Sequence, residues 1–337
     1  MLNKKIAVIG AGGWGTALAI TLSQKKLTAE NSNILLWCYE KETVDEIEMN
    51  HTNTDFLPDV EIPQNIIPVS DFSKIKDVEI IVNAVPTQFI RNVYSQINFS
   101  LENKIIVNSS KGIEKKTLKR IAEIFNELGV RNENYAAISG PSHASEVAKK
   151  QFTAVLVAST NYELAMSIRE LFSTKTFRVY SSTDVIGCEL GGALKNVIAI
   201  AAGISDELKS GDNTKAALIS RGLAEMTRLG VELGANPQTF SGLAGLGDLV
   251  VTCDGEQSRN KQVGFLLAKG MTLQEIKSLN KTVAEGVDTT ESTVHLAKKL
   301  NVEMPLTEQI YNLLYNNFTV KQCVNKLLDR ESKNEIW

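Results

Sequence analysis

The residues most suggestive of chemistry stand near the start of the chain. Gly10-Ala11-Gly12-Gly13-Trp14-Gly15 follows the apolar run Ile6-Ala7-Val8-Ile9 and precedes a stretch of helical composition. With this GxGxxG spacing, Gly10 permits a tight turn, Gly12 lets the backbone approach a pyrophosphate, and Gly15 lets helix and strand pack closely. The helix start adds amide donors and the positive end of its dipole, so the chemistry is dinucleotide binding. The competing reading is a merely structural glycine-rich turn. A carboxylate after the second strand would accept from a ribose hydroxyl, and a basic residue would favour a 2′-phosphate. The sequence there is Trp37-Cys38-Tyr39-Glu40-Lys41. Glu40 and Lys41 point in opposite directions, so NAD and NADP both stay open.

A second group of residues suits proton transfer beside an anionic substrate. Lys195 lies in Leu190-Gly191-Gly192-Ala193-Leu194-Lys195-Asn196, where its helical neighbours are small or apolar and no carboxylate is local. Such a lysine exchanges a proton with a carbonyl oxygen once burial or a nearby cation lowers its pKa. Alternatively it snorkels from the edge of a core helix. Residues Gly242 to Cys253 read as a glycine-rich loop ending in an acid, Asp248, and Ser258-Arg259-Asn260 follows. Arginine forks onto phosphate oxygens while serine and asparagine add neutral donors. The alternative is a polar loop and helix cap. Lys111 in Asn108-Ser109-Ser110-Lys111-Gly112 follows a strand, as does Gly140-Pro141-Ser142-His143-Ala144. The carboxyl edge of an open α/β sheet is where ligands bind. His143, opening a helix, reads as structural.

The elements that must hold these residues form two sets. Apolar runs at Ile6 to Ile9, Ile34 to Trp37, Ile80 to Val85, Ile105 to Val107, Tyr135 to Ile138, Ala154 to Ala158 and Phe177 to Tyr180 read as strands buried on both faces. Helical patterns at about 14–25, 88–97, 117–128 and 161–172 join them into βαβ units, hence a doubly wound Rossmann-type sheet. Residues 55–68, with Pro58, Pro63 and Pro68, read as an ordered excursion. Beyond about 182 the pattern is helical, at 183–207, 215–234, 260–269, 286–300 and 305–315, with Thr183 and Asp184 as a capping signal. The expectation is an α/β chain with a dinucleotide-binding Rossmann domain over 1–182 and an all-helical substrate-binding domain over 183–337.

Composition narrows the function. At 337 residues the chain is long enough for two cores. Its net charge of −3 argues against bulk nucleic-acid binding. Cys38, Cys188, Cys253 and Cys323 lie far apart without CxxC spacing and read as reduced thiols in a cytosolic protein; no metal site is expected. Lys4 and Lys5 before an apolar run mimic a signal peptide, but Gly10, Gly12, Gly13 and Gly15 inside the run suit a phosphate-binding turn. No later stretch reaches the ~20 apolar residues that span a bilayer, so no stable membrane insertion is expected.

Taken together, GAGGWGTALA, NSSKGIE, SGPSHASEVA, GGALKNVIAIAAG, GLAGLGDLVVTCDGEQSRN, VAEGVDTT and MPLTEQIY resemble, in order and spacing, the bacterial NAD(P)-dependent glycerol-3-phosphate dehydrogenase family. The resemblance covers essentially the whole chain. It implies reduction of dihydroxyacetone phosphate to sn-glycerol 3-phosphate for glycerophospholipid synthesis, a cytoplasmic location and a homodimer. It implies that Lys195 accepts or donates the proton, with Asp248 orienting or tuning it. Lys111, Gly140, Ser142, Lys195, Asp248, Ser258, Arg259 and Asn260 would contact substrate. Gly13, Trp14, Tyr39, Lys111, Ala144, Arg259, Val283 and Glu285 would contact NAD or NADP, beside the glycines of the turn. Tyr39 stands where an arginine or histidine often meets the 2′-phosphate, and Tyr39-Glu40 is closer to NAD-preferring relatives. His143 stands where an aromatic such as phenylalanine is common. Two other readings are a related dehydrogenase of another hydroxy compound and a cofactor-binding sensor without catalysis. The sensor would have no need of Lys111, Lys195 and Asp248 together.

Overall fold

A computed structural model describes residues 4–25, 33–279, 284–331 and 334–335. Its strands are β1 (Ile6–Ile9), β2 (Ile34–Trp37), β3 (Ile66–Val69), β4 (Ile80–Asn83), β5 (Ile105–Asn108), β6 (Tyr135–Ser139), β7 (Thr153–Ala158) and β8 (Phe177–Ser182). β1, β4, β5 and β6 are buried along their whole lengths, the mark of strands covered on both faces. The helices of this half are α1 (Gly13–Ser23), α2 (Lys41–Asn50), α3 (Ile90–Tyr94), α4 (Ile121–Glu127), α5 (Ala144–Ala148) and α6 (Tyr162–Phe172). The strands form one sheet in the order β3-β2-β1-β4-β5-β6-β7-β8, parallel from β3 through β6. Its first six strands follow the Rossmann order, and separate apolar clusters cover its two faces.

Two features of the sheet depart from the sequence reading. The proline-bearing excursion ends in a strand: Pro68 lies in β3 opposite Leu36. Proline has no N–H to give a ladder, and β3 is an edge strand, where that loss is tolerated. The second departure is that β7 runs antiparallel to β6. A parallel crossover must travel back about 16 Å for a five-residue strand. The five-residue α5 spans only about 7.5 Å, so the chain turns back from the carboxyl edge instead. The eleven-residue α6 is long enough to return, and β8 is parallel to β7.

This reversal sets up the rest of the molecule. β8 ends at the opposite edge of the sheet, and the next helix, α7 (Val185–Glu207), must climb back beside β6. Asp184 caps α7 by accepting from the Gly187 amide. Lys195 lies ten residues beyond the helix start, about 15 Å up, level with the carboxyl ends of the parallel strands. Around α7 pack α8 (Asp212–Glu232), α9 (Pro237–Phe240), α10 (Asp248–Asp254), α11 (Arg259–Ala268), α12 (Leu273–Leu279), α13 (Glu285–Leu300), α14 (Pro305–Tyr315) and α15 (Val320–Leu328), with their own apolar core. Although α7 is long and apolar enough to cross a membrane, 94% of the relevant window is buried inside the protein.

α7 and α11 cross with their backbones in contact. A Cβ on Gly203 would lie 1.9 Å from the Lys261 carbonyl oxygen, and one on Gly264 would lie 1.9 Å from that of Ile200. The supposed loop at 242–253 is a π-helical turn over Leu243–Gly247 that runs into α10, so Asp248 opens a helix rather than ending a loop. Gly245 serves packing: a Cβ there would lie 2.1 Å from the Phe240 carbonyl oxygen.

Candidate active site

The turn between β1 and α1 is built from glycines doing different things. Gly10 has φ +108°, a left-handed conformation open to glycine, and its amide bonds the Trp37 carbonyl. A Cβ on Gly15 would lie 1.8 Å from the Gly10 carbonyl oxygen, and one on Gly13 would lie 2.6 Å from that of Phe56. Among the described residues a Cβ on Gly12 meets nothing within 4 Å. Gly12 therefore faces open space at the N-terminus of α1, where amides and dipole favour an anion. Trp14 Nε1 donates to the Ser109 carbonyl (3.2 Å), tying the turn to the end of β5. Ala144 lies on the other side of the turn, its Cβ 3.7 Å from the position a Gly13 Cβ would take.

At the carboxyl edge, side chains from three distant segments meet. Lys111 follows β5, Lys195 comes from α7, and Asp248 opens α10. Asp248 is wholly buried and bonds both lysines, Lys111 Nζ at 2.6 Å and Lys195 Nζ in a short contact. Burial alone would raise the Asp248 carboxyl, but the two ammonium groups outweigh it and hold it below the usual range. Burial pushes Lys195 down to about 8; Asp248 opposes that shift and Lys111 adds to it. Lys195 also donates to Thr252 Oγ1 at 2.7 Å, and Thr252 donates to the Asp248 carbonyl at 2.6 Å. Among the described residues this uses two of the three Nζ donors and leaves one. The arrangement is a proton donor and acceptor poised near neutral pH, with a second positive charge beside it.

The walls of this centre are made of small residues. A Cβ on Gly192 would fall 2.5 Å from Ser139 Oγ and 3.2 Å from the Lys111 chain, so glycine lets β6 and Lys111 approach α7. Lys111 also donates to the Gly140 carbonyl (3.3 Å), as does Ser142 Oγ (2.8 Å). Arg259 is exposed on the first turn of α11, and Ser258 caps that helix by accepting from the Lys261 amide. Asn260 donates to Asn196 (3.0 Å) and accepts from the Gly286 amide (2.9 Å). The helix-cap alternative thus holds for Ser258, while Asn260 joins α7, α11 and α13 next to Lys195. Glu285 opens α13 and accepts from the Thr87 amide (3.1 Å). Burial raises its carboxyl, against the Thr87 bond and the charge of Arg259.

Comparison with known proteins assigns the chain to a family. Residues 5–165 match the model for the N-terminus, and residues 184–325 that for the C-terminus, of NAD-dependent glycerol-3-phosphate dehydrogenase. A glycerol-3-phosphate dehydrogenase [NAD(P)+] from Citrifermentans bemidjiense is 49% identical over 99% of both chains. The chain belongs to the NAD-dependent glycerol-3-phosphate dehydrogenase family. A relative of the same name from Lysinibacillus sphaericus is 46% identical over 99% of this chain and 98% of its own. The crystal structure of the glycerol-3-phosphate dehydrogenase from Coxiella burnetii superposes with a TM-score of 0.89 at 38% identity, covering 98% of this chain and 100% of that one. D-mandelate dehydrogenase, at 15% identity and a TM-score of 0.62, shares the fold alone.

The other residues singled out in this family member are spread more widely. Tyr39, past the end of β2, is 66% exposed and packs edge-on against Trp37. Glu40 is the N-cap residue of α2 and Lys41 its first residue, both exposed. Val283 lies outside the described residues. His143 is the N-cap residue of α5, and a Cβ on Gly255 would come 2.6 Å from its Nε2. Burial lowers its pKa, with Glu146 opposing, so the imidazole stays neutral and wedged between α5 and α10. Thr252 was not legible as a partner of Lys195. It stands four residues after Asp248, the same-face spacing of a helix, which reading the segment as a loop concealed.

Proposed function

We propose that the cluster of Lys195, Asp248 and Lys111 is the centre at which this chain interconverts dihydroxyacetone phosphate and sn-glycerol 3-phosphate with NAD(H) or NADP(H). The observation that carries the reading is the wholly buried Asp248 shared by two lysines, one with its pKa brought down to about 8. A bound dinucleotide would supply or take a hydride at the central carbon of the substrate. Lys195 manages the proton on the oxygen of that carbon: as ammonium it donates to the developing alkoxide, and as amine it takes the proton from the hydroxyl. Asp248 and Thr252 hold Lys195 in place, and Lys111 adds positive charge where negative charge develops.

The open face of Gly12 fits a dinucleotide pyrophosphate, with Gly10 and Gly15 shaping the turn and Gly13, Trp14 and Ala144 beside it; Lys111 and Glu285 join the cofactor set by resemblance. Tyr39 reaches the ribose side, and Val283 belongs to the same set by resemblance. Gly140, Ser142, Ser258 and Asn260 line the substrate, and Arg259 anchors its phosphate. The same reading divides the chain into a dinucleotide domain over 1–182 and a substrate domain over 183–337. It makes the enzyme a cytoplasmic homodimer that supplies glycerophospholipid synthesis. With Glu40 and Tyr39 after β2, NADH serves at least as well as NADPH.

The test uses two ketones. NADH absorbance falls on addition of dihydroxyacetone phosphate and much more slowly with the non-phosphorylated ketone. A charge-assisted hydrogen bond to an anion contributes about 1.5–3 kcal/mol. Arg259→Ala therefore lowers kcat/KM for the phosphorylated ketone by roughly 10- to 150-fold and changes the other far less. Equal proportional losses on both ketones would sink the phosphate-anchor role.

A further inference from the structure

The pyrophosphate turn is supported from outside its own motif. The excursion after α2 is pinned at its start by Glu46, whose Oε1 accepts from Thr52 Oγ1 (2.8 Å) and the Thr54 amide (2.9 Å). Between these residues Asn53 turns inward and is 1% exposed. Its Nδ2 donates to the Ala11 carbonyl at 2.8 Å and to Thr16 Oγ1 at 2.9 Å. The Ala11 carbonyl can only accept, so the amide nitrogen must face it. Three residues later the Phe56 carbonyl packs against Gly13 where a Cβ would stand at 2.6 Å.

One short segment thus grips Ala11, Gly13 and Thr16, on both sides of Gly12, and leaves Gly12 open. Among the described residues Asn53 Oδ1 is buried without a hydrogen-bond partner. From this we infer that Asn53 is a positioning residue for the dinucleotide: it fixes the turn around Gly12 in the shape that receives the pyrophosphate. Affinity then comes partly from a turn already ordered before the ligand arrives. The inference rests on the proposed placement of the dinucleotide at Gly12.

The experiment measures NADH affinity by calorimetric titration, with thermal stability and steady-state kinetics alongside. Asn53→Ala raises the NADH Kd by about 5- to 30-fold. At saturating NADH its kcat and its KM for dihydroxyacetone phosphate stay within about twofold of the parent enzyme. Asn53→Asp, which cannot donate to Ala11 and adds negative charge near the pyrophosphate, weakens NADH further than alanine does. A Kd within about twofold of the parent for folded Asn53→Ala, or a kcat loss as large as the change in Kd, would overturn the inference. Should that variant not fold, Thr16→Val removes the hydroxyl link without touching the excursion. It raises Kd by about threefold or more, and an unchanged Kd overturns the proposal equally. Gly12→Val separates the two layers: it has room to fold and should lose NADH binding. If it binds NADH normally, the placement fails and the role of Asn53 falls with it. If it does not bind while Asn53→Ala binds normally, only the role of Asn53 is lost.

Discussion

The turn after β1 and the centre around Lys195 lie at the same edge of the sheet and solve opposite problems. In the turn, six consecutive residues bring backbone close to backbone, and the working groups are amides at a helix start. Around Lys195, three side chains from segments far apart in the chain share a buried site, and each is altered by the others. Lys195 and Asp248 are 53 residues apart and meet only because α7 climbs beside β6 while α10 closes over it. A binding motif made of main chain is local; an acid–base group made of perturbed side chains is a property of the tertiary structure.

The sharpest way to break this comparison is to remove the amine. Lys195→Ala should lower kcat by about 10²- to 10⁴-fold, the range of general acid–base catalysis, and leave the NADH Kd within about threefold. A variant that keeps more than about half of the parent kcat would end the proton-transfer role. A variant that loses NADH affinity as steeply as kcat would show that the two regions are not separable.

A smaller effect comes from pH. The pKa of Lys195 is depressed to about 8, so its amine form grows as pH rises through that value. Oxidation of glycerol 3-phosphate needs the amine, and its kcat/KM should rise about tenfold per unit below pH 8 and level off above. Reduction needs the ammonium, and its kcat/KM should hold below pH 8 and fall above it. Profiles in the two directions that bend the same way near 8 would assign the titration to another group.

The smallest effect sharpens the turn side. Glu40 is an exposed carboxylate at the N-terminus of α2, past the end of β2. Glu40→Gln should improve kcat/KM for NADPH by a few-fold and leave NADH nearly unchanged, because an exposed charge acts weakly on a 2′-phosphate. Equal changes for both cofactors would place Glu40 away from the ribose.

Legibility from sequence follows the same division. β1 and β2 were readable to the residue because continuous apolar runs bounded by turn residues have few other uses. The glycine turn was readable because its parts are adjacent. Lys195 stood out as a polar residue on an apolar helix, and Asp248 was paired with it by family resemblance alone, since no local spacing links 195 to 248. Thr252 was hidden because Gly242, Gly245 and Gly247 look like a loop, while at Gly245 the missing side chain serves close packing against Phe240. The reversal at β7 followed from the length of α5, a quantity that strand patterning does not weigh. Arg259 was recognisable by type, but the work of Asn260 in joining three helices was not.

On the proposed reading, the crossing of α7 and α11 gives the substrate cleft the character of a caliper. One jaw carries Lys195, the other carries Arg259, and the pivot is main chain against main chain at Gly203 and Gly264. On the proposed reading, the span between the reacting oxygen and the phosphate is therefore gauged by the backbone itself. A phosphorylated ketone one carbon longer would have to spread the jaws, and changes to the cleft's lining side chains would not reset the gauge. Gly203→Ala would move the jaws apart without touching a single group that meets the substrate.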